Sequence, residues 1–362
     1  MSRATAASIS RAALRHNLAE LRRRAPDSRV MAVVKADAYG HGLERVATTL
    51  RDADAFGVAA LSDAERIRAA GLDNRIVLLS GFDEPADLPM LRRLKLDAVV
   101  HCDEQLRMLE LDAELPGADP LCLWVKLDTG MNRLGFRPER AAELRQRLRG
   151  LPNVHADIQW MSHLARSDEF GAPNTPEQLA AFDAVLRDID GDRSLANSSA
   201  VLGWPASHRD WIRPGGALYG MSVVDGKTGA DFGLVPVMSL HTRLIAVKDV
   251  RVGDRIGYGG DHVCARDGCI GIATIGYGDG YPRLAPAGTP VLVDGKPSRI
   301  VGRVSMDLMA VDLEACPDAR VGSPVLLWGP GLPIETIASA AGTISYELAC
   351  GITRRVRFID AE

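Results

Sequence analysis

Lys35 closes an apolar run in Met31-Ala32-Val33-Val34-Lys35-Ala36-Asp37-Ala38-Tyr39-Gly40-His41-Gly42. The run has the length and branching of a buried strand, and a glycine-punctuated turn and a helical pattern come after it. A lysine at the edge of an apolar interior loses hydration, which lowers its pKa and frees the amine to attack a carbonyl. The turn contributes the Tyr39 phenol and backbone N–H groups suited to a phosphate. A carbonyl compound that carries a phosphate is a description of pyridoxal phosphate. A lysine snorkelling from a strand end would show the same residues, so the remaining motifs decide between the two.

Val125-Lys126-Leu127-Asp128-Thr129-Gly130-Met131-Asn132-Arg133-Leu134-Gly135 repeats the pattern. A strand ends in Lys126, and a glycine-rich turn sets Arg133 over the same face. Arginine is the natural bidentate partner of a carboxylate, although an ordinary surface ion pair needs no more than this. His163 ends the run Trp160-Met161-Ser162-His163 and suits a base, a flat stacking partner or a satisfied structural residue. Asn197-Ser198-Ser199 and Arg213-Pro214-Gly215-Gly216-Ala217-Leu218-Tyr219-Gly220 follow the last two runs of this region. In a barrel, the loops after strands seven and eight often bind phosphate; plain turn chemistry is the other reading.

Later in the chain, Ile256-Gly257-Tyr258-Gly259-Gly260 sets a phenol between glycines, which leaves it sterically open. Ile275-Gly276-Tyr277-Gly278-Asp279-Gly280-Tyr281-Pro282-Arg283 repeats the device, and Gly302-Arg303-Val304-Ser305-Met306-Asp307 and Ser345-Tyr346-Glu347 are related. Of six tyrosines in the chain, four lie in these segments. Packing is the default for any one of them; together they suggest a tyrosine-lined site.

The elements that must position these residues alternate. Apolar runs at 30–34, 55–59, 76–79, 98–100, 121–125, 156–161, 194–196 and 211–212 are separated by helical patterns such as 42–51, 63–70, 104–110, 138–149 and 177–187. That is the mark of βα units, and the spacing predicts an eight-stranded parallel (β/α) barrel over residues 1–234. Nearly every run is followed by a polar group: Lys35, Ser62, Ser80, His101, Lys126 with Asp128, His163, Asn197 with Ser198, and Arg213. The strand C-termini are where barrels keep their active sites. Residues 235–362 read as a mostly β domain, with short runs between Gly, Pro and Asp turns, a hairpin signal at Val293-Asp294-Gly295-Lys296 and a late helix near 337–341.

A length of 362 residues suggests about two domains, and the net charge of −4 points to neither nucleic acid nor an anionic membrane. Six scattered cysteines form no C-x-x-C pair and no zinc-like spacing with histidine, so a cytoplasmic setting and no metal are expected. No apolar run is long enough to span a bilayer. The Ser-, Ala- and Arg-rich start has the flavour of a transit peptide, but Ser10 reads as the N-cap of a helix through about residue 24, ending in Arg22-Arg23-Arg24.

Taken in order, VKADAYGHG, VKLDTGMNRLG, the histidine of WMSHLARSDE, NSSA, RPGGALYG, IGYGG, GYGDGYPR, GRVSMD and SYEL match the motifs of one family from end to end. The chain resembles the bacterial alanine racemases, pyridoxal-phosphate enzymes with a barrel domain and a β domain. The resemblance implies that Lys35 holds the cofactor as a Schiff base and is one of two bases, with Tyr258 the other. It implies a phosphate held by Tyr39, Ser198, Gly215, Gly216 and Tyr346, a pyridine nitrogen bonded by Arg213, and His163 packed on the ring or orienting Arg213. Arg133 and the Met306 backbone would take the substrate carboxylate. Lys126 matches a lysine that some members carry as a carbamate, and Asp168, Tyr277, Arg283, Arg303 and Asp307 match the substrate entrance. A head-to-tail homodimer is implied, with Tyr258, Tyr277 and Met306 reaching the partner's barrel. Asn132 stands where some members have glycine, and Ser305 where some have cysteine.

Racemisation needs one base on each face of a planar carbanion. A tyrosine of pKa about 10 needs a cationic neighbourhood to act as a base near neutral pH. Arg213 can only donate to the pyridine nitrogen, which weakens the electron sink and disfavours transamination. A decarboxylase of the same fold is opposed by Arg133, since a departing carboxylate should not be the best-held group. A non-catalytic cofactor carrier would lack Tyr258, and a phosphate-binding barrel without the cofactor would show no chromophore tied to Lys35. The substrate is expected to be alanine, with serine or a broader range as the alternative, and the role either supply of D-alanine for peptidoglycan or its catabolism.

Overall fold

The computed structural model describes residues 4–115 and 119–362. Strand β1 (Ala6–Ser10) leads into the helix Arg11–Arg24, and Ser10 caps that helix, its Oγ accepting the Ala13 N–H at 3.1 Å. Arg22, Arg23 and Arg24 close its last turn, where cations complement the helix dipole. Strands β2 (Arg29–Val33), β3 (Ala55–Val58), β4 (Arg75–Leu78), β5 (Leu96–Val100), β6 (Leu123–Lys126), β7 (Gln159–Met161), β8 (Arg193–Ser194) and β9 (Trp211–Ile212) then close a parallel barrel. The expected barrel fold is borne out, including its two shortest strands.

Inside the barrel, Met31, Ala55, Val77, Val99, Trp124, Met161 and Trp211 form one buried cluster. The indoles of Trp124 and Trp211 meet edge to face, 5.9 Å between centroids. Charged groups from the strand N-termini seal this end. Asp97 accepts the Trp124 Nε1–H at 2.9 Å and pairs with Arg75 at 2.6 Å, and the Arg75 guanidinium lies 5.5 Å from the centre of the Trp211 ring. Arg29 sits 4.4 Å above that ring and pairs with Asp192, which also accepts the Trp211 Nε1–H. Burial pushes the Asp97 carboxyl up, against the charge of Arg75. Removing the Asp97 carboxylate leaves the buried Trp124 Nε1–H without an acceptor and the half-buried Arg75 without its ion partner. Asp97→Ala is therefore expected to lower stability by about 2 kcal/mol, read by urea unfolding, and Asp97→Asn by less because it keeps an acceptor for Trp124.

The β-rich unit is built on a sheet whose strands run in the order β13 (Gly268–Ala273), β16 (Met309–Asp312), β15 (Lys296–Val301), β14 (Pro290–Val293), β17 (Pro324–Trp328), β10 (Met238–Val250), β1 and β18 (Arg357–Ala361). Its long strand β10 (Met238–Val250) pairs with β1 and with β17 (Pro324–Trp328) through its first half, and with β13 (Gly268–Ala273) through its second. Two short strands, β11 (Arg255–Ile256) and β12 (His262–Val263), pair apart from this sheet. The expected hairpin joins β14 (Pro290–Val293) to β15 (Lys296–Val301), with Asp294 and Gly295 both at positive φ, as a two-residue primed turn requires. β16 (Met309–Asp312) and a helix at Ile334–Ala341 follow the expected order.

The compact units do not divide at residue 234. One takes residues 17–218 and 224–226; the other takes the described residues up to His16, then 219–223 and 227–362. The N-terminal segment joins the β-rich unit because β1 pairs on both edges, antiparallel with β10 and parallel with β18 (Arg357–Ala361), and buries Ala6, Ala7 and Ile9.

Candidate active site

β2 delivers Lys35 at the C-terminal mouth of the barrel. Val34 before it is fully buried, and its N–H donates to the Gly57 carbonyl at 2.9 Å. The chain then does something the sequence conceals. Ala36, Asp37, Ala38 and Tyr39 all take φ between +52° and +56°, one turn of left-handed helix made without glycine. For L-residues that costs roughly 1–2 kcal/mol each, so other contacts must hold it. His41 is fully buried, and burial lowers its pKa to about 4, so the ring is neutral. Its Nδ1 donates to the carbonyls of Tyr39 (2.9 Å) and Ala38 (3.1 Å). On the other side, Asp37 Oδ1 accepts the Leu43 N–H at 3.0 Å and the Arg66 guanidinium at 2.7 Å.

Lys35 itself is exposed, so the dehydration expected at this position is not found there. It falls on Lys126, 8 % exposed, whose pKa burial lowers to about 8, helped by the charges of Arg213, Arg133 and Lys35 and opposed by Asp128. A strand-end lysine keeps its water when the turn beyond it swings outward. Lys126 is the last residue of β6 and still pairs in the ladder, opposite Met161, whereas Lys35 lies two residues beyond β2.

Four positive charges act on His163. Burial holds this imidazole well below its ordinary pKa, and Arg213, Lys126, Arg133 and Lys35 push it the same way. It is therefore neutral near pH 7. Arg213 is buried, donating from Nη1 to Ser194 Oγ and from Nη2 to the Ser162 carbonyl, both at 2.6 Å. Burial lowers its pKa to about 10, still far enough above neutrality to keep the guanidinium charged. Arg133 is exposed on a turn organised by Asp128, whose Oδ1 accepts the N–H groups of Gly130 and Asn132 at 3.0 Å. Asn132 has φ +55°, which explains a position open to either glycine or asparagine.

Ser198 opens a short helix, Ser198–Gly203, that Asn197 caps. Its Oγ accepts the N–H groups of Gly215 (2.9 Å) and Ala217 (3.2 Å). A Cβ at Gly215 would lie 2.3 Å from the Tyr39 hydroxyl, so glycine is what lets the phenol close on this loop. Tyr39, Ser198, Gly215 and Gly216 thus gather at one cradle. A strand-end amine, a hydroxyl-and-amide cradle and a guanidinium with only donors left to offer fit the aldehyde, the phosphate and the ring nitrogen of pyridoxal phosphate. Two other polar strand ends serve each other instead, His101 Nε2 bonding the Ser80 carbonyl at 3.0 Å. Asp168 lies half-buried beside Ser167, whose Oγ donates to Asn197 at 2.8 Å.

In the β-rich unit, Tyr258 is 69 % exposed in a turn whose Gly257, Gly259 and Gly260 all have positive φ. Arg303 flanks that turn and pairs with Asp261. The Tyr277 N–H donates to the Ser305 carbonyl (3.0 Å) and the Gly278 N–H to that of Met306 (2.9 Å), so the two motifs are joined and leave Tyr277 and Met306 exposed. Asp307 pairs with Arg355, Arg283 is exposed, and Tyr346 is half-buried on the helix Ser345–Cys350. Tyr281 does not line a site: it is buried and stacked on Trp328 at 6.0 Å. His41, Ser194 and Gln178 are buried polar residues to which the motifs assign no role, and their hydrogen bonds in the fold are what mark them.

A closed parallel (β/α) barrel with polar side chains at the C-terminal ends of its strands is the architecture of a barrel enzyme. The models of the alanine racemase N-terminal and C-terminal domains match residues 9–223 and 237–359. The chain belongs to the alanine racemase family and is an isomerase. It is 51 % identical over 355 residues to a biosynthetic alanine racemase of Escherichia coli, covering 97 % of this chain and 98 % of the relative. The crystal structure of the biosynthetic alanine racemase from Pseudomonas aeruginosa superposes with a TM-score of 0.95 at 46 % identity, covering 99 % of this chain and 100 % of that one. The alanine racemase of Acinetobacter baumannii follows at 0.93 and 34 %, with both chains fully covered.

Proposed function

We propose that this chain interconverts L- and D-alanine with pyridoxal phosphate as cofactor, Lys35 and Tyr258 acting as bases on opposite faces of the substrate. The observation that carries the reading is the cradle at the barrel mouth, where Ser198 Oγ accepts the Gly215 and Ala217 N–H groups and the Tyr39 hydroxyl closes on Gly215, two residues beyond the buried guanidinium of Arg213. When bound, the cofactor supplies the electron delocalisation that acidifies the substrate Cα–H bond. Lys35 would carry it, and Tyr39, Ser198, Gly215, Gly216 and Tyr346 would hold its phosphate. Arg213 would donate to its ring nitrogen, with His163 against the ring. Arg133 and the Met306 N–H would orient the substrate carboxylate. The Lys35 amine and the Tyr258 phenol would then each take a proton at Cα from one side or return it from the other. Arg303, flanking the Tyr258 turn, belongs with Asp168, Tyr277, Arg283 and Asp307 at the substrate entrance.

The exposure of Tyr258, Tyr277 and Met306 supports a homodimer in which they serve the partner's barrel. A cytoplasmic role supplying D-alanine for peptidoglycan accords with the relatives named as biosynthetic, with six free thiols and with the absence, among the described residues, of any helix long and apolar enough to cross a membrane. The test is loss of optical rotation from L-alanine, with and without added cofactor, against L-serine. Release of carbon dioxide without racemisation would overturn the reading.

Lys126 is proposed as a carbamate that steadies Arg133. Its neutral amine adds to carbon dioxide, forming an N–C bond and releasing a proton, and turns one positive charge of the cluster negative. With a pKa of about 8, neutral amine accumulates as pH rises through that value. Incorporation of ¹³C-labelled bicarbonate is therefore expected to climb between about pH 6 and about pH 9, followed by carbon NMR, and Lys126→Ala should abolish the signal.

A further inference from the structure

Arg133, His163 and Arg213 rise from three different barrel strands, β6, β7 and β9, so the ladder alone does not fix the loops that carry them. One side chain from outside the barrel joins two of these loops and connects onward to the third. Gln178, on the helix Asn174–Val185, is 4 % exposed. Its Nε2 donates to the His163 carbonyl at 3.1 Å and to Thr129 Oγ1 at 3.2 Å, while its Oε1 accepts the Ala165 N–H at 2.9 Å. Only this orientation pairs donors with acceptors; reversed, oxygen would face the His163 carbonyl and the amide nitrogen the Ala165 N–H.

The network continues. Thr129 Oγ1, which accepts from Gln178, also shares a hydrogen bond with Ser162 Oγ at 2.8 Å. The Ser162 carbonyl in turn accepts from Arg213 Nη2 at 2.6 Å. A Cβ at Gly130 would lie 3.5 Å from Gln178 Cγ, so the side chain also packs under the turn that leads to Arg133. Nothing in the motifs marks Gln178, which occupies the same buried helix face as Thr175, Leu179 and Phe182.

We propose that Gln178 is a positioning residue of the site, holding the Arg133 turn and the 163–165 loop in the relative placement that racemisation requires. This rests on the reading of Arg133 as the partner of the substrate carboxylate. Gln178→Met keeps the length of the side chain and removes its hydrogen bonds; Gln178→Glu keeps the shape and, when ionised, cannot donate. Enzyme reconstituted with pyridoxal phosphate is assayed for kcat and KM with L-alanine, and amide hydrogen exchange is followed in residues 128–135 and 163–166 alongside thermal unfolding.

Gln178→Met is expected to raise KM about tenfold with kcat changed less than about threefold, and to speed exchange in both segments about tenfold while the rest of the molecule holds. For Gln178→Glu, KM should fall back toward the wild-type value as pH is lowered, because a protonated carboxyl donates again. A folded Gln178→Met with unchanged KM overturns the proposal, as does activity lost only in proportion to unfolded protein. Should Gln178→Met not fold, a flat KM-against-pH profile in Gln178→Glu overturns it. If the wild-type enzyme does not racemise alanine, the proposed function fails instead, and the exchange comparison still judges Gln178: faster exchange in both segments supports it, unchanged exchange overturns it.

Discussion

Replacing Tyr258 by phenylalanine is expected to lower racemisation in both directions by about three orders of magnitude, the upper range for loss of one acid–base group. The substitution removes only the hydroxyl from a side chain that is 69 % exposed in a glycine turn, so folding and thermal stability should be unaffected. The two half-reactions should not suffer alike. A base on one face still serves the enantiomer whose Cα–H points toward it. In deuterated water, Tyr258→Phe should therefore still exchange the α-hydrogen of one enantiomer of alanine through Lys35, and lose exchange of the other. Equal residual racemisation of both enantiomers at the wild-type rate would remove Tyr258 from the proton path.

Lys35→Ala should have the larger effect, abolishing both racemisation and the visible absorption of the lysine-bound cofactor, while the cradle of Tyr39, Ser198 and Gly215 still retains the phosphate. Paired with Tyr258→Phe it also tests assembly. If each site takes Lys35 from one copy and Tyr258 from the other, a mixed dimer of the two inactive variants contains one site with neither group and one that is intact. Random mixing makes half of the dimers mixed, so activity should return to about a quarter of the wild-type value. If both groups come from the same chain, mixing restores none.

Much of this was legible in the residues. The barrel strands announce themselves as β-branched runs, and even the two-residue β9 was marked by Trp211-Ile212. The Asp294-Gly295 turn has one chemical solution. What escaped has physical causes. β1 is five residues long and earns its place only by pairing with two strands that lie more than two hundred residues away, β10 and β18, which no local window detects. Ala36-Asp37-Ala38 reads only as part of a glycine-punctuated turn, because the left-handed sense of that turn leaves no trace in composition. The burial expected of Lys35 belongs to Lys126 for the same reason: the direction in which a chain leaves a strand depends on φ. The polar triangle around Gln178 is invisible because glutamine in a helix is unremarkable until its partners are known.

The left-handed turn after Lys35 has a stereochemical consequence. Its backbone angles are the mirror image of those an L-residue prefers. At Ala36 and Ala38 the backbone angles are therefore those that D-alanine prefers. In a chain assembled by chemical ligation, placing D-alanine at these two positions should make the segment more rigid, whereas the same replacement in any of the right-handed helices would break it. The fold proposed to invert alanine thus depends, beside its own lysine, on L-alanines held in the conformation natural to their mirror image.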